Sequence, residues 1–186
     1  MDNFKTISES KTVMTELMIP SYSNFGGKVH GGVILSLMDK VAYACAAKHA
    51  ETYCVTASID TVDFREPVEV GEIVSLLASV NYVGRSSLVI GIKVLSENIK
   101  TKTVKHTNSS YFSMVAVDEL THKPVQVPGL ILENEVDIQR FITAMHRKEL
   151  NRYYRQEGAR IKAEYRNPDF MEMLKKERCL LKAGLE

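Results

Sequence analysis

The sequence predicts an α+β domain in which one antiparallel sheet wraps around a long apolar helix. The segment from Gly32 to His49 is apolar in almost every direction of a helical wheel, which is typical of a helix covered on most sides. Four strand-like segments follow at short separations, and short connections favour antiparallel neighbours because a parallel return needs a longer crossover. A sheet with one apolar face would cover this helix, and a second copy of the chain could cover more of it.

Each strand of this sheet is predicted from alternating side chains and from the residues that end it. Lys11–Ile19 alternates along its length, and Pro20 ends it. A loop rich in Ser, Asn and Gly then leads into the apolar helix. After the helix, the same alternation predicts four strands in a meander, over residues 54–64, 73–83, 86–97 and 104–117.

The C-terminal part of the chain is predicted to form a helical extension. The Pro124–Pro128 segment has the composition of a linker, and helical spacing follows from Glu133 to about Gln156, with Gly158 able to bend or stop the helix. Asn167 and Pro168 have the pattern of a second helix start, with Asn as the cap and Pro in the first turn. We therefore place the main domain at residues 1–130 and the extension at residues 131–186.

The composition is that of a soluble globular protein, with 45% hydrophobic and 25% charged residues among 186. The longest apolar stretch is too short to span a membrane, and the first residues lack the apolar segment of a secretory signal. A cytoplasmic location and no membrane partner are therefore expected. Cys45, Cys54 and Cys179 match no metal or redox spacing, and we expect neither a metal nor a bound cofactor.

The charge is unevenly distributed, since residues 1–139 carry a net charge of −4 and residues 140–186 a net charge of +5. A basic segment of this kind could meet nucleic acid or a phosphorylated ligand. A solvated or subunit-facing helix explains it more simply, because the carboxylates among the basic residues weaken attraction to a polyanion. We expect no nucleic-acid partner.

Asp39 interrupts the apolar helix and needs a reason to be there, since an unpaired buried carboxylate is costly. Gly32 precedes it by almost two turns and shares its face. Free N–H groups at Gly31 and Gly32, at the positive end of the helix, could stabilise a developing oxyanion. Asp39, from this helix or from that of a dimer mate, could then act on a water or on the carbonyl carbon. Alternatively, the glycines permit tight packing and Asp39 is a satisfied interface carboxylate.

Three further positions have both a chemical and a structural interpretation. His30 could act as a base or a metal ligand, or could be a hydrogen-bonded residue in front of the helix. Asn24 could hold a water or a carbonyl, or could be an ordinary loop residue. Arg85, with the hydroxyls of Ser86 and Ser87, suits phosphate recognition, but an exposed Arg in a hairpin is equally consistent with the pattern.

A series of motifs runs through the chain in a fixed order. It opens with Asn24-Phe25-Gly26-Gly27-Lys28-Val29-His30-Gly31-Gly32, followed by Leu37-Met38-Asp39. The later members are at residues 55–60, 64–68, 70–72, 81–87, 106–108 and 124–128. In this order the series resembles the hotdog-fold acyl-CoA thioesterases, in particular the brain-type acyl-CoA hydrolases and their bacterial single-domain relatives. The resemblance covers about residues 11–148.

The resemblance implies the hotdog fold and a homodimer with a continuous sheet, often assembled as a trimer of dimers, with active sites at the dimer interface. It implies hydrolysis of acyl-CoA to a free fatty acid and CoA without a metal, CoA being part of the substrate and product. Asp39 would be the general base or the nucleophile. Gly31 and Gly32 would supply backbone donors to the thioester oxygen, and Asn24 would position the carbonyl or the water.

The same resemblance implies that Arg85, Ser86 and Ser87 lie near the phosphates and the pantetheine arm of CoA. Thr56, Ala57 and His30 are further candidates for substrate contacts. The chain departs from the pattern at Lys28, where the two-domain members carry a catalytic Asn, and residues 149–186 match no motif of the family. Two alternatives are an acyl-CoA-binding regulator without activity and a hotdog dehydratase, although dehydratases place their His and carboxylate elsewhere.

Overall fold

The computed structural model describes residues 3–182, and the chain divides into two compact units, Met1–Ala144 and Met145–Glu186. The helices are α1 (Ile7–Ser10), α2 (Gly31–Ala50), α3 (Glu135–Glu164) and α4 (Pro168–Leu174). The strands are β1 (Phe4–Thr6), β2 (Thr12–Leu17), β3 (Cys54–Ile59), β4 (Ile73–Val83), β5 (Ser87–Asn98), β6 (Thr103–Ala116) and β7 (Gly129–Ile131). None of the helices within these residues is long and apolar enough to cross a membrane.

Helix α2 is the centre of the first unit and matches its predicted bounds to within one residue at each end. Its start is capped, because the N–H of Gly32 donates to Nδ1 of His30 at 2.8 Å. Its end is marked by Glu51, whose φ of 55° places it in the left-handed region. The helix contacts all five strands of the main sheet, which explains why its apolar side chains extend around most of its circumference.

The main sheet has the strand order β2-β4-β5-β6-β3, and all its pairs are antiparallel. The predicted meander is correct for β4, β5 and β6. It is wrong for β3, which pairs with β6 at the far edge rather than with β4. Residues 60–72 connect the two strands and are long enough to cross three strand spacings, roughly 15 Å. β3 also ends at Ile59, short of the predicted residue 64.

A second, two-stranded sheet pairs β1 with β7 in parallel. The sequence did not predict it, because three-residue strands are too short to show an alternating pattern. Gly129 allows the ring of Phe4 to pack closely on this pair, since a Cβ at residue 129 would overlap the ring in its present position.

Helix α3 runs through Gly158, so the helix does not stop at that residue. A glycine inside a helix costs only about 1 kcal/mol, which flanking pairs can offset. Here Arg160 pairs with Glu157 at 2.5 Å and with Glu164 at 3.4 Å. The predicted start of α4 is confirmed, because Oδ1 of Asn167 accepts a hydrogen bond from the N–H of Asp169 at 3.0 Å.

Candidate active site

Asp39 lies in the third turn of α2, opposite strand β3, and is half-buried. Its Oδ1 accepts a hydrogen bond of 2.7 Å from Oγ1 of Thr56, which is exposed. The same hydroxyl lies 3.3 Å from Sδ of Met114 on β6. Since Thr56 engages Oδ1, the carboxylate is held in one orientation while Oδ2 is left to meet a water or a substrate.

Thr56 lies on an edge strand with an apolar exposed surface. Within residues 3–182, β3 pairs with β6 on one side and with no strand on the other. Val55 is 36% exposed and Ile59 47% exposed, and Ala57 between them is exposed as well. An open edge that carries apolar side chains is suited to pair with another chain.

The start of α2 contains the two glycines predicted to supply backbone donors. The N–H of Gly32 donates to Nδ1 of His30, which caps the helix. No group of three or more potential metal ligands is found among residues 3–182. The N–H of Gly31 therefore remains as the donor at the positive end of the helix. Gly31 also packs closely against Phe64, whose ring would lie 3.3 Å from a Cβ at that position.

Asn24 lies in the loop before α2, in a tight turn with Lys28. Its Oδ1 accepts from the N–H groups of Gly26 at 2.9 Å and Lys28 at 3.2 Å. These bonds use the oxygen and leave Nδ2 of Asn24 as the group that can donate to a ligand. Lys28, the residue that departs from the family pattern, forms an ion pair with Glu69 and so holds the loop beside the start of β4.

The start of α2 and Asp39 lie at different levels along the helix axis. Asn24 precedes the helix start at Gly31, and α2 rises about 12 Å from Gly31 to Asp39. No hydrogen bond joins the side chains of Asn24 and Asp39 in the described part of the chain.

Arg85, Ser86 and Ser87 form the turn between β4 and β5, at the end of β4 opposite the loop of Asn24. The turn is fixed by its backbone: the N–H of Gly84 donates to the carbonyl of Ser87, and the carbonyl of Arg85 accepts from Val127. Ser87 is in register with Val115 and Val115 with Val55. The turn thus lies two strands, or roughly 10 Å, from Thr56 and Ala57, with the Arg85 side chain exposed.

The buried cysteines are unsuited to act as nucleophiles. Burial raises the pKa of Cys45 to about 12 and that of Cys54 to about 11, so both thiols stay protonated near neutral pH. In this part of the fold, a thioester is therefore more readily attacked with the help of a carboxylate than by a cysteine thiolate.

Glu72 is a second important carboxylate, which the sequence analysis did not single out. It is only 2% exposed and accepts hydrogen bonds from Ser96 Oγ at 2.6 Å, Glu69 N–H at 3.1 Å and Lys105 Nζ at 3.2 Å. Burial alone would raise its pKa, but these donors and the charge of Lys105 outweigh burial and lower it. With three donors on its two oxygens, Glu72 is a structural anchor.

Comparison with known proteins identifies relatives across most of the chain. A family model described as the thioesterase superfamily matches residues 26–103. The chain is 46% identical to Protein VdlD of Helicobacter pylori over 145 residues, 78% of this chain and 82% of VdlD. It is 36% identical to the protein named uncharacterized acyl-CoA thioester hydrolase YkhA of Bacillus subtilis over 139 residues, 75% of this chain and 80% of YkhA.

Solved structures agree in fold. A hexameric acyl-CoA thioesterase in its apo form matches with a TM-score of 0.78 and 37% identity, over 83% of this chain and 97% of that one. The acyl-CoA hydrolase of Staphylococcus aureus, in complex with butyryl-CoA, CoA and CoA disulfide, matches with a TM-score of 0.77 and 32% identity, over 87% and 98%.

Three variants of the S. aureus enzyme have also been solved, each with one residue replaced by alanine: an asparagine, an aspartate or a threonine. These residue types follow one another in that enzyme with the same separations as Asn24, Asp39 and Thr56 here. The sequence matches and the wrapped α2 helix together show that this chain is a hotdog-fold member of the thioesterase superfamily, within its acyl-CoA thioester hydrolases.

Proposed function

We propose that this protein hydrolyses acyl-CoA thioesters and that the carboxylate of Asp39 carries the reaction. The observation that supports this most directly is the setting of Asp39. It is half-buried, oriented by a single hydrogen bond from Thr56, and located beside an open strand edge. Membership of a family of acyl-CoA hydrolases supplies the substrate class, and the three variants of the S. aureus enzyme support the choice of residues.

The hydrolysis follows from the groups present. Asp39 removes a proton from a water, and the resulting hydroxide attacks the thioester carbonyl carbon. The carbonyl oxygen becomes an oxyanion, which the N–H of Gly31 stabilises at the positive end of α2. Collapse breaks the carbon–sulfur bond and releases CoA thiolate, which takes the proton held by Asp39. Direct attack by Asp39 through an anhydride is the alternative, and water then hydrolyses that intermediate.

The complete site is proposed to form between two chains. β3 would pair edge to edge with β3 of a second copy and cover the exposed Val55 and Ile59. Asn24 and Gly31 of one protomer would then face Asp39 of its partner. The hexameric assembly of a structural relative supports a further association into a trimer of dimers.

The CoA moiety is proposed to lie along the turn that follows β4. Arg85 would meet a phosphate, and the hydroxyls of Ser86 and Ser87 would bond the phosphate or the pantetheine arm. Thr56 and Ala57 would border the thioester, and His30 would act on it only through the helix start that it caps. CoA is then part of the substrate and product, with no separate cofactor.

The domain boundary at residue 130, the cytoplasmic location and a role in fatty acid metabolism stay predictions. The catalytic domain is proposed to span residues 1–130, and the helical extension residues 131–186.

The test is thiol release from acyl-CoAs of increasing chain length by the wild type and by Asp39→Asn. We expect release by the wild type and its near-complete loss in Asp39→Asn, with an unchanged thermal transition. Asp169→Asn, an exposed aspartate on α4, is the matched control and keeps full activity. Binding of CoA without release by the wild type would instead favour a regulator that only binds acyl-CoA. Full activity of Asp39→Asn would contradict the proposed mechanism.

A further inference from the structure

A cavity of about 210 Å³ lies on the face of the main sheet that points away from α2. The core side chains Val80, Ile90 and Phe112 face α2, and the residues that alternate with them line this cavity. Its polar lining comes from Lys11 and from the outward positions of β4, β5 and β6, and Arg140 of α3 completes it. We call it the outer cavity.

Two buried polar side chains form the floor of the outer cavity. Ser79 is 8% exposed and Asn81 only 4% exposed. Ser79 Oγ donates to Oδ1 of Asn81 at 2.8 Å, which fixes the orientation of the amide and leaves Nδ2 of Asn81 as a donor. Gly91 makes room for this amide, because a Cβ at residue 91 would overlap Nδ2. Gly91 thus leaves space for the buried amide of Asn81, a polar group that the packing of the hydrophobic core does not require.

The charge of the outer cavity is of one sign. Lys11, Lys93 and Arg140 line it, and no carboxylate is among its lining residues. No ion pair within residues 3–182 neutralises any of the three cations. Lys93 is in register with Ser109 of β6, whose hydroxyl also lines the cavity. Three cations around fixed N–H and O–H donors create a local preference for an anion.

We propose that the outer cavity binds a phosphate group. Arg140 offers a planar fork and the two lysines offer point charges, the combination that recognises phosphate oxygens. Asn81 Nδ2 supplies a neutral donor from the floor, and Ser109 Oγ, which lies 2.8 Å from Nε2 of His106, supplies another when that ring nitrogen donates to it. The volume equals that of roughly seven liquid waters at ~30 Å³ each, which is enough for a phosphate and part of its hydration shell. The site lies across the sheet from Asp39 and does not depend on the proposed hydrolysis.

The phosphate group could come from free inorganic phosphate or from a nucleotide, and calorimetric titration at fixed ionic strength separates the two. Inorganic phosphate and ADP are titrated into the wild type, Lys93→Met and Asn81→Asp. Lys100→Met, in the turn after β5 and outside the cavity lining, is the matched control.

We expect Lys93→Met to raise the Kd by on the order of tenfold and Asn81→Asp, which adds a negative charge without changing volume, to abolish binding. Lys100→Met should change the Kd by less than about twofold. Binding that is weakened by Lys93→Met and Asn81→Asp but not by Lys100→Met supports the site. Binding of inorganic phosphate then indicates free phosphate as the ligand, and binding of ADP alone indicates a nucleotide.

The proposal is overturned if neither ligand binds, or if Lys93→Met and Lys100→Met weaken binding equally. It is also overturned if Lys93→Met changes the oligomeric mass while phosphate fails to bind, because the cavity would then be covered by another copy of the chain. Each variant is first checked for an unchanged thermal transition. Thiol release by the same preparations reports on Asp39 alone, so failure of the proposed hydrolysis would be seen separately.

Discussion

Two carboxylates in the same unit, Asp39 and Glu72, have opposite surroundings. Glu72 is almost fully buried and receives hydrogen bonds from Ser96, Lys105 and a backbone N–H. Asp39 is half-buried and receives one bond, from Thr56 on the open edge strand. Both carboxylates are at least partly withdrawn from water, which is costly unless the charge has hydrogen-bond partners.

The difference supports the structural role of Glu72 and the reactive role proposed for Asp39. The donors around Glu72 lower its pKa and engage both of its oxygens, so it holds the loop before β4 to the sheet. Asp39 has one oxygen fixed by Thr56, and its other oxygen is open to a water or a substrate, as the proposed reaction requires. Burial alone would have selected Glu72, whereas incomplete satisfaction beside an accessible edge selects Asp39.

The largest expected contrast is between Asp39→Asn and Glu72→Gln. Asp39→Asn should lower kcat on the order of 100-fold or more, because the base is removed, and should leave the thermal transition in place. Glu72→Gln should lower the free energy of unfolding by about 1–3 kcal/mol, because the buried charge partner of Lys105 is lost. It should keep its kcat at temperatures where it is folded. Thiol release and urea unfolding of both variants measure this. Loss of stability without loss of activity in Asp39→Asn would reverse the two roles.

A smaller effect is expected at Thr56, which orients Asp39. Thr56→Val keeps the shape of the side chain and removes the donor, so kcat should fall by about tenfold. Thr56→Ser keeps the hydroxyl and should stay close to the wild type. The ratio of kcat between the Ser and Val variants isolates the hydrogen bond. Equal activities in the two variants would show that this bond is dispensable.

The smallest effect is the pH dependence of stability that Glu72 contributes. Its pKa in the folded chain is lowered from the ordinary 4.5, so its contribution is complete above that value and is lost as the pH falls through the folded pKa. The difference in unfolding free energy between wild type and Glu72→Gln should therefore shrink as the pH falls below 4.5. Urea titrations at several pH values measure the difference. A difference that stays constant into acid would show that Glu72 is not ionised in the folded state.

Local sequence patterns predicted the helices and strands better than they predicted which strands pair with one another. The bounds of α2 were predicted to within one residue because its apolar segment is long and directly follows a loop rich in Ser, Asn and Gly. The position of β3 was wrong because strand alternation does not encode which neighbour a strand pairs with. The continuation of α3 through Gly158 depends on the Arg160 ion pairs, which outweigh a weak intrinsic preference.

The candidate site was predictable only in part. A single carboxylate in an apolar helix singled out Asp39, and the family resemblance added its role. The bond from Thr56 to Asp39 could not be predicted, since it requires β3 to pass over the third turn of α2. The engagement of the Gly32 N–H by His30 also depends on a side-chain rotamer that no sequence pattern specifies.

The central claim, that two chains complete one site, is tested most directly by a hybrid of two inactive variants. Chains with Asn24→Ala and chains with Asp39→Asn are co-expressed with different affinity tags, and the species that carry both tags are assayed for thiol release. Each hybrid dimer then contains one site with both Asn24 and Asp39 intact, so each should have about half the activity of a wild-type dimer, and the doubly tagged preparation should be well above either parent. A hybrid no more active than either parent would contradict the shared site.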